Sequence, residues 1–204
     1  MMNFWNAFWN GLLATSPLEA LAVITGIISV WCAQKASIFT YPIGLINTSL
    51  YIWLSLQAHL LGEASVNAYY TFMNGYGWLL WLRRNEQQQP LVHIRYSTKK
   101  EIGTQLLFFG FFFTTIWLSL TFLKTAFAPG ALPLADAFAS ATAFTGMWLM
   151  TRKKVESWYW WIATNIASIP LYYTKGFVFT SVYYLILLLM AFYGLSAWKK
   201  KANS

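Results

Sequence analysis

Residues 106–123 read LLFFGFFFTTIWLSLTFL, an uncharged run of 18 residues that decides the fold. A helix of about 20 apolar residues is long enough to cross a hydrocarbon core of about 30 Å. Because this run also lacks Asn and Gln, it suits a helix that faces lipid and connects two other parts of the chain. We therefore predict a connector span over residues 102–123 of an all-α membrane protein.

The composition favours a protein with many membrane spans. Hydrophobic residues make up 58% of the chain and charged residues 10%, against about 45–50% and about 25% in soluble domains. The net charge of +8 does not indicate a nucleic-acid partner, because the basic residues stand in short clusters between apolar runs. Cys32 is the only cysteine, so no disulfide forms within the chain, and no Cys/His pattern indicates a metal or another cofactor.

The chain divides around the connector into four segments. We predict an interfacial N-terminal segment (1–14), a first three-helix repeat (15–84), a cytoplasmic linker with the connector helix (85–125), and a second three-helix repeat with a basic tail (126–204). The hydropathy pattern predicts seven transmembrane helices, over residues 18–34, 38–57, 63–82, 102–123, 132–151, 157–174 and 177–197.

Residues 117 positions apart match along the chain, which indicates an internal duplication. The matching pairs are Glu19 with Asp136, Thr25 with Thr142, Trp31 with Trp148, Lys35 with Arg152, Tyr76 and Gly77 with Tyr193 and Gly194, and Trp81 with Trp198. One connector span between two triplets gives both copies the same orientation, so we predict parallel repeats in a three-plus-one-plus-three arrangement.

The basic residues predict the orientation in the membrane. Twelve of the 14 Lys and Arg residues fall in loops on one side, and only Lys124 and Lys175 fall on the other. The positive-inside rule then puts the N-terminus outside and the C-terminus in the cytoplasm.

The span 157–174 carries the sharpest candidate site. Its residues Trp158, Trp161, Asn165, Ser168 and Tyr172 are spaced three, four, three and four, which places them on one helix face. A polar side chain inside a membrane span needs a partner and often marks a substrate site. Further candidates on the other spans are Asn47, Tyr51, Tyr70, Asn74 and Tyr184.

Each candidate also has a structural interpretation. Trp and Tyr are common at membrane interfaces, and single asparagines join membrane helices. If the stripe does line a pocket, its indoles suit a flat and preferably cationic ring, and its amides and hydroxyls suit a sugar or carboxamide. The spans hold no Lys or Arg away from their ends, so a substrate phosphate would lack its usual partner.

Glu19 and Asp136 fall near the outer ends of their spans at matching positions of the two repeats. They are candidates for a cation-attracting mouth or a gate. We favour the simpler interpretation, in which each carboxylate follows Pro17 or Pro133 into the first helical turn and interacts with the helix dipole.

The stretch KKVESWYWWIATN (153–165) resembles the PnuC family of bacterial vitamin transporters, whose WxxW motif is matched by Trp158 and Trp161. The likeness covers nearly the whole chain, including YPIGLINTSLYIW (41–53), EASVNAYYTFMNGYGWLLW (63–81) and YGLSAW (193–198). It implies a SWEET-like fold and facilitated diffusion of nicotinamide riboside across the bacterial inner membrane, with net uptake driven by a cytoplasmic kinase. It also implies that Trp158 and Trp161 enclose the pyridinium ring while Asn47 and Asn165 bind the ribose or amide.

Two alternatives stay open from the sequence. Similar transporters carry thiamine or riboflavin, and a non-transporting membrane subunit would use the same polar stripes only to join helices. The chain has no nucleotide-binding or Ser/His/Asp motif, so we do not expect an enzyme. The oligomeric state stays open, a homo-oligomer included.

Overall fold

A computed structural model describes residues 4–58, 61–127 and 130–203. Within these ranges the chain is helical apart from its loops, as predicted. The eight helices are α1 (Phe4–Ala14), α2 (Pro17–Gln34), α3 (Thr40–Gln57), α4 (Leu61–Leu82), α5 (Lys99–Phe127), α6 (Pro133–Thr151), α7 (Ser157–Thr174) and α8 (Val178–Ala202).

Local signals explain where several helices begin. Pro17 and Pro133 stand in the first positions of α2 and α6, where the missing N–H of proline has no helical partner to lose. The Ser16 hydroxyl caps α2 by accepting a hydrogen bond of 3.2 Å from the Glu19 N–H. Helix α1 covers most of the predicted N-terminal segment, whose residues 1–3 lie outside the described ranges.

The helices pack as two trios. In the first trio α3 lies against both α2 and α4, and in the second α7 lies against both α6 and α8. The trios meet along two seams, one between α4 and α6 and the other between α2 and α8. Helix α5 packs on α6, and α1 packs on α8.

Three of the described helices are long and apolar enough to cross a membrane. They are α2, α5 and α8, with mean hydropathies of 1.4, 2.0 and 2.0 over their most apolar windows. None of the residues in that window of α5 is fully buried, although Phe108 and Phe112 pack on Trp148 and Phe144 of α6. The lipid-facing connector over residues 102–123 stays a prediction.

The basic clusters lie together at one end of the bundle, here called the basic end. The linker is attached there to the loop between α6 and α7, because the Arg95 N–H donates to the Lys153 carbonyl and the Val155 N–H donates to the Arg95 carbonyl. The Lys154 ammonium is buried and lies 2.6 Å from a Glu101 carboxylate oxygen. The linker is therefore anchored to the second trio.

The opposite end of the bundle carries Glu19, Glu63 and Asp136 and is called the acidic end.

Candidate functional site

Trp161 lies inside the bundle, against the helix α6. A Cβ placed on Gly146 would lie 3.3 Å from three atoms of the Trp161 indole, so the missing side chain lets the ring lie close to the α6 backbone. The Tyr70 ring of α4 is a further neighbour, with ring centroids 6.3 Å apart. Trp161 is only partly buried.

An aromatic group joins Trp161 to the seam between the trios. The Tyr70 ring meets the Phe144 ring edge to face at 6.0 Å, and Tyr69 stacks on Phe144 at 4.0 Å. The Tyr69 hydroxyl donates a hydrogen bond of 3.0 Å to the Phe144 carbonyl across the seam. Tyr70 and Trp161 are thus held at the place where α4, α6 and α7 come together.

The three predicted asparagines lie inside the bundle in different surroundings. Asn165 is buried on α7, with an exposed fraction of 3%. Asn74 is buried on α4 against Gly44, where an added Cβ would lie 2.6 Å from the amide oxygen. The Asn47 amide donates a hydrogen bond of 2.6 Å to the Ala22 carbonyl, which joins α3 to α2.

The predicted tyrosines form a second group on the side of the acidic end. Tyr172 of α7 stacks on Tyr184 of α8 with centroids 5.1 Å apart and planes inclined by 16°. The Tyr184 hydroxyl interacts with the side chains of Tyr172 and Ser168. Tyr51 is half-buried on α3 of the first trio, whereas Tyr172 and Tyr184 belong to the second.

Trp158 is more deeply buried than Trp161. It is 1% exposed and belongs to a buried cluster at the basic end, where its ring meets Trp198 edge to face at 5.6 Å. Its indole N–H is buried without a hydrogen-bond partner among the described residues. The structure therefore brings Trp161 together with Tyr70, and Tyr172 together with Tyr184. Trp158 lies closer to the basic end than these residues.

The two predicted mouth residues differ in their partners. Each occupies the first turn of its helix, Glu19 in α2 and Asp136 in α6. The Asp136 carboxylate accepts from the Leu132 N–H and lies 2.7 Å from the Lys175 ammonium. Glu19 instead lines a cleft of about 210 Å³ together with Gly11, Ala14 and residues 176–180.

Sequence reasoning missed several residues that shape the site. Gly146 and Phe144 are absent from the predicted set because their role depends on which face of α6 meets α7. Tyr183 was also missed, although its hydroxyl and the Asn47 amide both lie over Gly26. The repeat marks Lys175 as a difference between the trios, because the matching position in the first trio is Ala58, the C-cap of α3.

The chemistry of the site is uncharged and aromatic. Trp161 contacts the Tyr70 ring and the α6 backbone at Gly146 and packs against the buried cluster of the basic end, and the buried amide of Asn165 lies one turn further along α7. Aromatic rings suit a flat ligand that is neutral or positively charged, and amides and hydroxyls can both donate and accept hydrogen bonds.

Comparison with known proteins agrees with this description. The chain is 26% identical over 206 residues to the nicotinamide riboside transporter PnuC of Escherichia coli (strain K12), covering 91% of this chain and 86% of that one. It is 24% identical over 176 residues to the riboflavin/roseoflavin transporter RibM of Streptomyces davaonensis, covering 86% and 81%.

A solved structure shares the fold. The crystal structure of the vitamin B3 transporter PnuC superposes with a TM-score of 0.76 at 22% identity, covering 98% of this chain and 90% of that chain. The sequence model described as nicotinamide mononucleotide transporter matches residues 16–200. The chain therefore belongs to the nicotinamide mononucleotide transporter family of membrane proteins.

Proposed function

We propose that this protein carries nicotinamide riboside across the bacterial inner membrane by facilitated diffusion. The observation that carries the proposal is the half-buried Trp161 indole, held by Gly146 beside Tyr70 and the buried Asn165. A pyridinium ring stacked on such an indole gains about 0.5–2 kcal/mol from the cation–π interaction. Two relatives with this activity in their names, from Escherichia coli and Shigella flexneri, support the choice.

The proposed binding site lies between the trios. The substrate ring stacks on Trp161, Asn165 and Asn47 hydrogen-bond the ribose or amide, and Asn74 and Tyr70 complete the wall. Tyr51, Tyr172 and Tyr184 cover the site from the acidic end, and Trp158 forms its floor. The surrounding side chains carry no cation to receive a phosphate, so phosphorylation of the substrate by a cytoplasmic kinase traps it inside.

The proposed architecture has seven membrane spans, α2 to α8, with α1 lying at the outer interface. The trios are parallel repeats joined by α5, and the basic end faces the cytoplasm, as the loop charges require. Transport then consists of rocking one trio against the other around the central site. Pro170 lies inside α7 and allows that helix to bend, whereas Pro42 lies in the first turn of α3, where proline removes no helical hydrogen bond.

Counterflow in proteoliposomes tests the substrate. Labelled nicotinamide riboside should accumulate when unlabelled riboside is inside, without a proton or sodium gradient. Asn165→Ala should slow this exchange at least about ten-fold, because it removes a buried hydrogen-bonding amide. Ile166→Ala is the matched control, since Ile166 is the next residue and is 54% exposed.

Thiamine and riboflavin are the alternative substrates. Thiamine is also a flat cation, and the likeness to RibM favours testing riboflavin. Exchange of either compound, with no exchange of nicotinamide riboside, would transfer the assignment to that vitamin while leaving the location of the site unchanged.

A further inference from the structure

The basic end is closed by two pairs of aromatic rings that occupy matching positions in the two trios. In the first trio Tyr41 meets Trp81 edge to face at 4.9 Å, and in the second Trp158 meets Trp198 in the same way at 5.6 Å. Tyr41 and Trp158 are 117 positions apart, as are Trp81 and Trp198. All four rings are at most 5% exposed. We call these four residues the aromatic plug.

The plug is held by two hydrogen bonds that cross between the trios in opposite directions. The Trp81 indole of α4 donates to the Thr151 carbonyl at the end of α6, at 2.9 Å. The Trp198 indole of α8 donates to the Ala33 carbonyl near the end of α2, at 3.0 Å. Each trio thus donates one bond to the first helix of the other, and moving the trios apart at this end breaks both bonds together.

Two glycines allow this packing. An added Cβ on Gly77 would lie 2.7 Å from the Tyr41 hydroxyl oxygen, and one on Gly194 would lie 2.6 Å from the Trp158 ring. The Lys153 ammonium covers the plug from the loop, 4.3 Å from the centre of the Trp81 ring. Burial lowers the pKa of this ammonium, and the charges of Arg84 and Lys201 lower it further.

The closed plug also contains groups that destabilise it. Among the described residues, the Tyr41 hydroxyl, the Ser157 hydroxyl and the Trp158 indole N–H are buried without a hydrogen-bond partner. Each such group loses its hydration without compensation. If the plug opened to water, the two indole bonds would be lost and these three groups would be hydrated. The free energies of the closed and open states are therefore brought closer together.

We propose that Trp81 and Trp198 are gating residues, whose indole N–H groups hold the transporter closed at the basic end. The gate follows from the geometry of the plug and rests on the proposed transport activity, but not on which vitamin is carried. Within the described part of the chain, the Thr151 carbonyl accepts no hydrogen bond other than that of Trp81, whereas the Ala33 carbonyl also accepts from the Ala36 N–H. Loss of the Trp81 donor should therefore open the gate more than loss of the Trp198 donor.

The single cysteine reports the gate in the absence of any substrate. Cys32 is 6% exposed and precedes Ala33 in the last turn of α2. We would measure the rate at which a hydrophilic maleimide labels Cys32 in nanodiscs. Trp81→Phe keeps a ring but removes the N–H, and it should raise the labelling rate roughly five-fold or more, with Trp198→Phe following at a smaller increase.

A variant with the opposite expected sign separates gating from a general loss of stability. Tyr41→Phe removes an unpartnered buried hydroxyl, which should stabilise the closed plug and slow the labelling of Cys32. The matched control is Trp160→Phe, because the Trp160 indole of α7 donates a hydrogen bond of 3.3 Å to the Gln105 side chain of α5. This control should leave the rate unchanged.

Hydrogen–deuterium exchange over residues 29–37 and 149–158 gives a second measure of opening, independent of the direction in which Cys32 faces. Faster exchange in Trp81→Phe and slower exchange in Tyr41→Phe support the gate. Unchanged labelling and exchange in both tryptophan variants would overturn it, as would a rise in Tyr41→Phe. If Trp81→Phe fails to fold, the direction of the Tyr41→Phe effect decides. A wrong substrate assignment leaves these substrate-free readings unaffected.

Discussion

The two trios are alike at the basic end and unlike at the centre and at the acidic end. Trp81 and Gly77 of the first trio have the same residues at their matching positions, Trp198 and Gly194. By contrast, Gly44 of the first trio corresponds to Trp161 of the second, 117 positions later. At the acidic end Ala58 corresponds to Lys175, so within residues 4–58, 61–127 and 130–203 an ion pair of this kind is seen in the second trio alone, between Lys175 and Asp136.

This difference separates two kinds of task. Closing one end of the bundle requires similar contacts from both trios, so matching residues such as Trp81 and Trp198 can provide them with similar hydrogen bonds. A vitamin has no two-fold symmetry, so one wall of its site needs a ring to stack on while the other needs amides. The duplication accounts for the aromatic plug, and divergence from the duplication accounts for the proposed binding site.

The largest effect is expected from a substitution in the aromatic plug, which the two trios share. Gly77→Ala places a Cβ against the Tyr41 ring, and overpacking of this kind costs about 1–3 kcal/mol. Gly75→Ala in the same helix is the matched control, because nothing lies within 4 Å of its added Cβ, and alanine there should stabilise the helix by up to about 1 kcal/mol. Thermal unfolding in detergent measures both, and equal effects would contradict the packing described here.

The next effect removes the residue that makes the centre asymmetric. Trp161→Gly gives the second trio the residue that the first has at Gly44, and it removes the proposed stacking surface. Loss of a cation–π contact of about 0.5–2 kcal/mol weakens binding about 2- to 30-fold. Equilibrium binding of nicotinamide riboside measures this, with Trp53→Ala as control because that indole is 56% exposed. Equal losses in the two variants would argue against stacking on Trp161.

A smaller effect concerns the ion pair that only the second trio has. Asp136 and Lys175 are 19% and 17% exposed and 2.7 Å apart, so we expect a coupling of about 1 kcal/mol. A double-mutant cycle with Asp136→Asn and Lys175→Met, followed by thermal unfolding, measures it. A coupling near zero would show that the pair does not stabilise the acidic end.

The smallest effect makes the first trio resemble the second. Ala58→Lys places an ammonium at the position that matches Lys175, and by analogy with the Lys175–Asp136 pair we expect it to approach Glu19. A surface pair contributes about 0.2–1 kcal/mol, so unfolding should shift only slightly. Glu19→Gln in the same background should remove the gain, and a gain that persists would exclude an interaction with Glu19.

Much of the fold could be predicted because lipid imposes simple rules. The runs 106–123 and 157–174 are long, apolar and bounded by charges or prolines, so their helices were placed within a few residues. The site was harder to predict because it depends on which faces meet. The spacing of Trp158 and Trp161 put both on one face, but it could not show that Gly194 would receive Trp158 and Gly146 would receive Trp161.

The most direct test is an experimental structure with nicotinamide riboside bound and the basic end closed. We expect the pyridinium ring against Trp161, between the trios, with the Trp81 indole on the Thr151 carbonyl and the Trp198 indole on the Ala33 carbonyl. A ligand found instead in the cleft beside Glu19, with Trp161 uninvolved, would contradict a binding site between the trios.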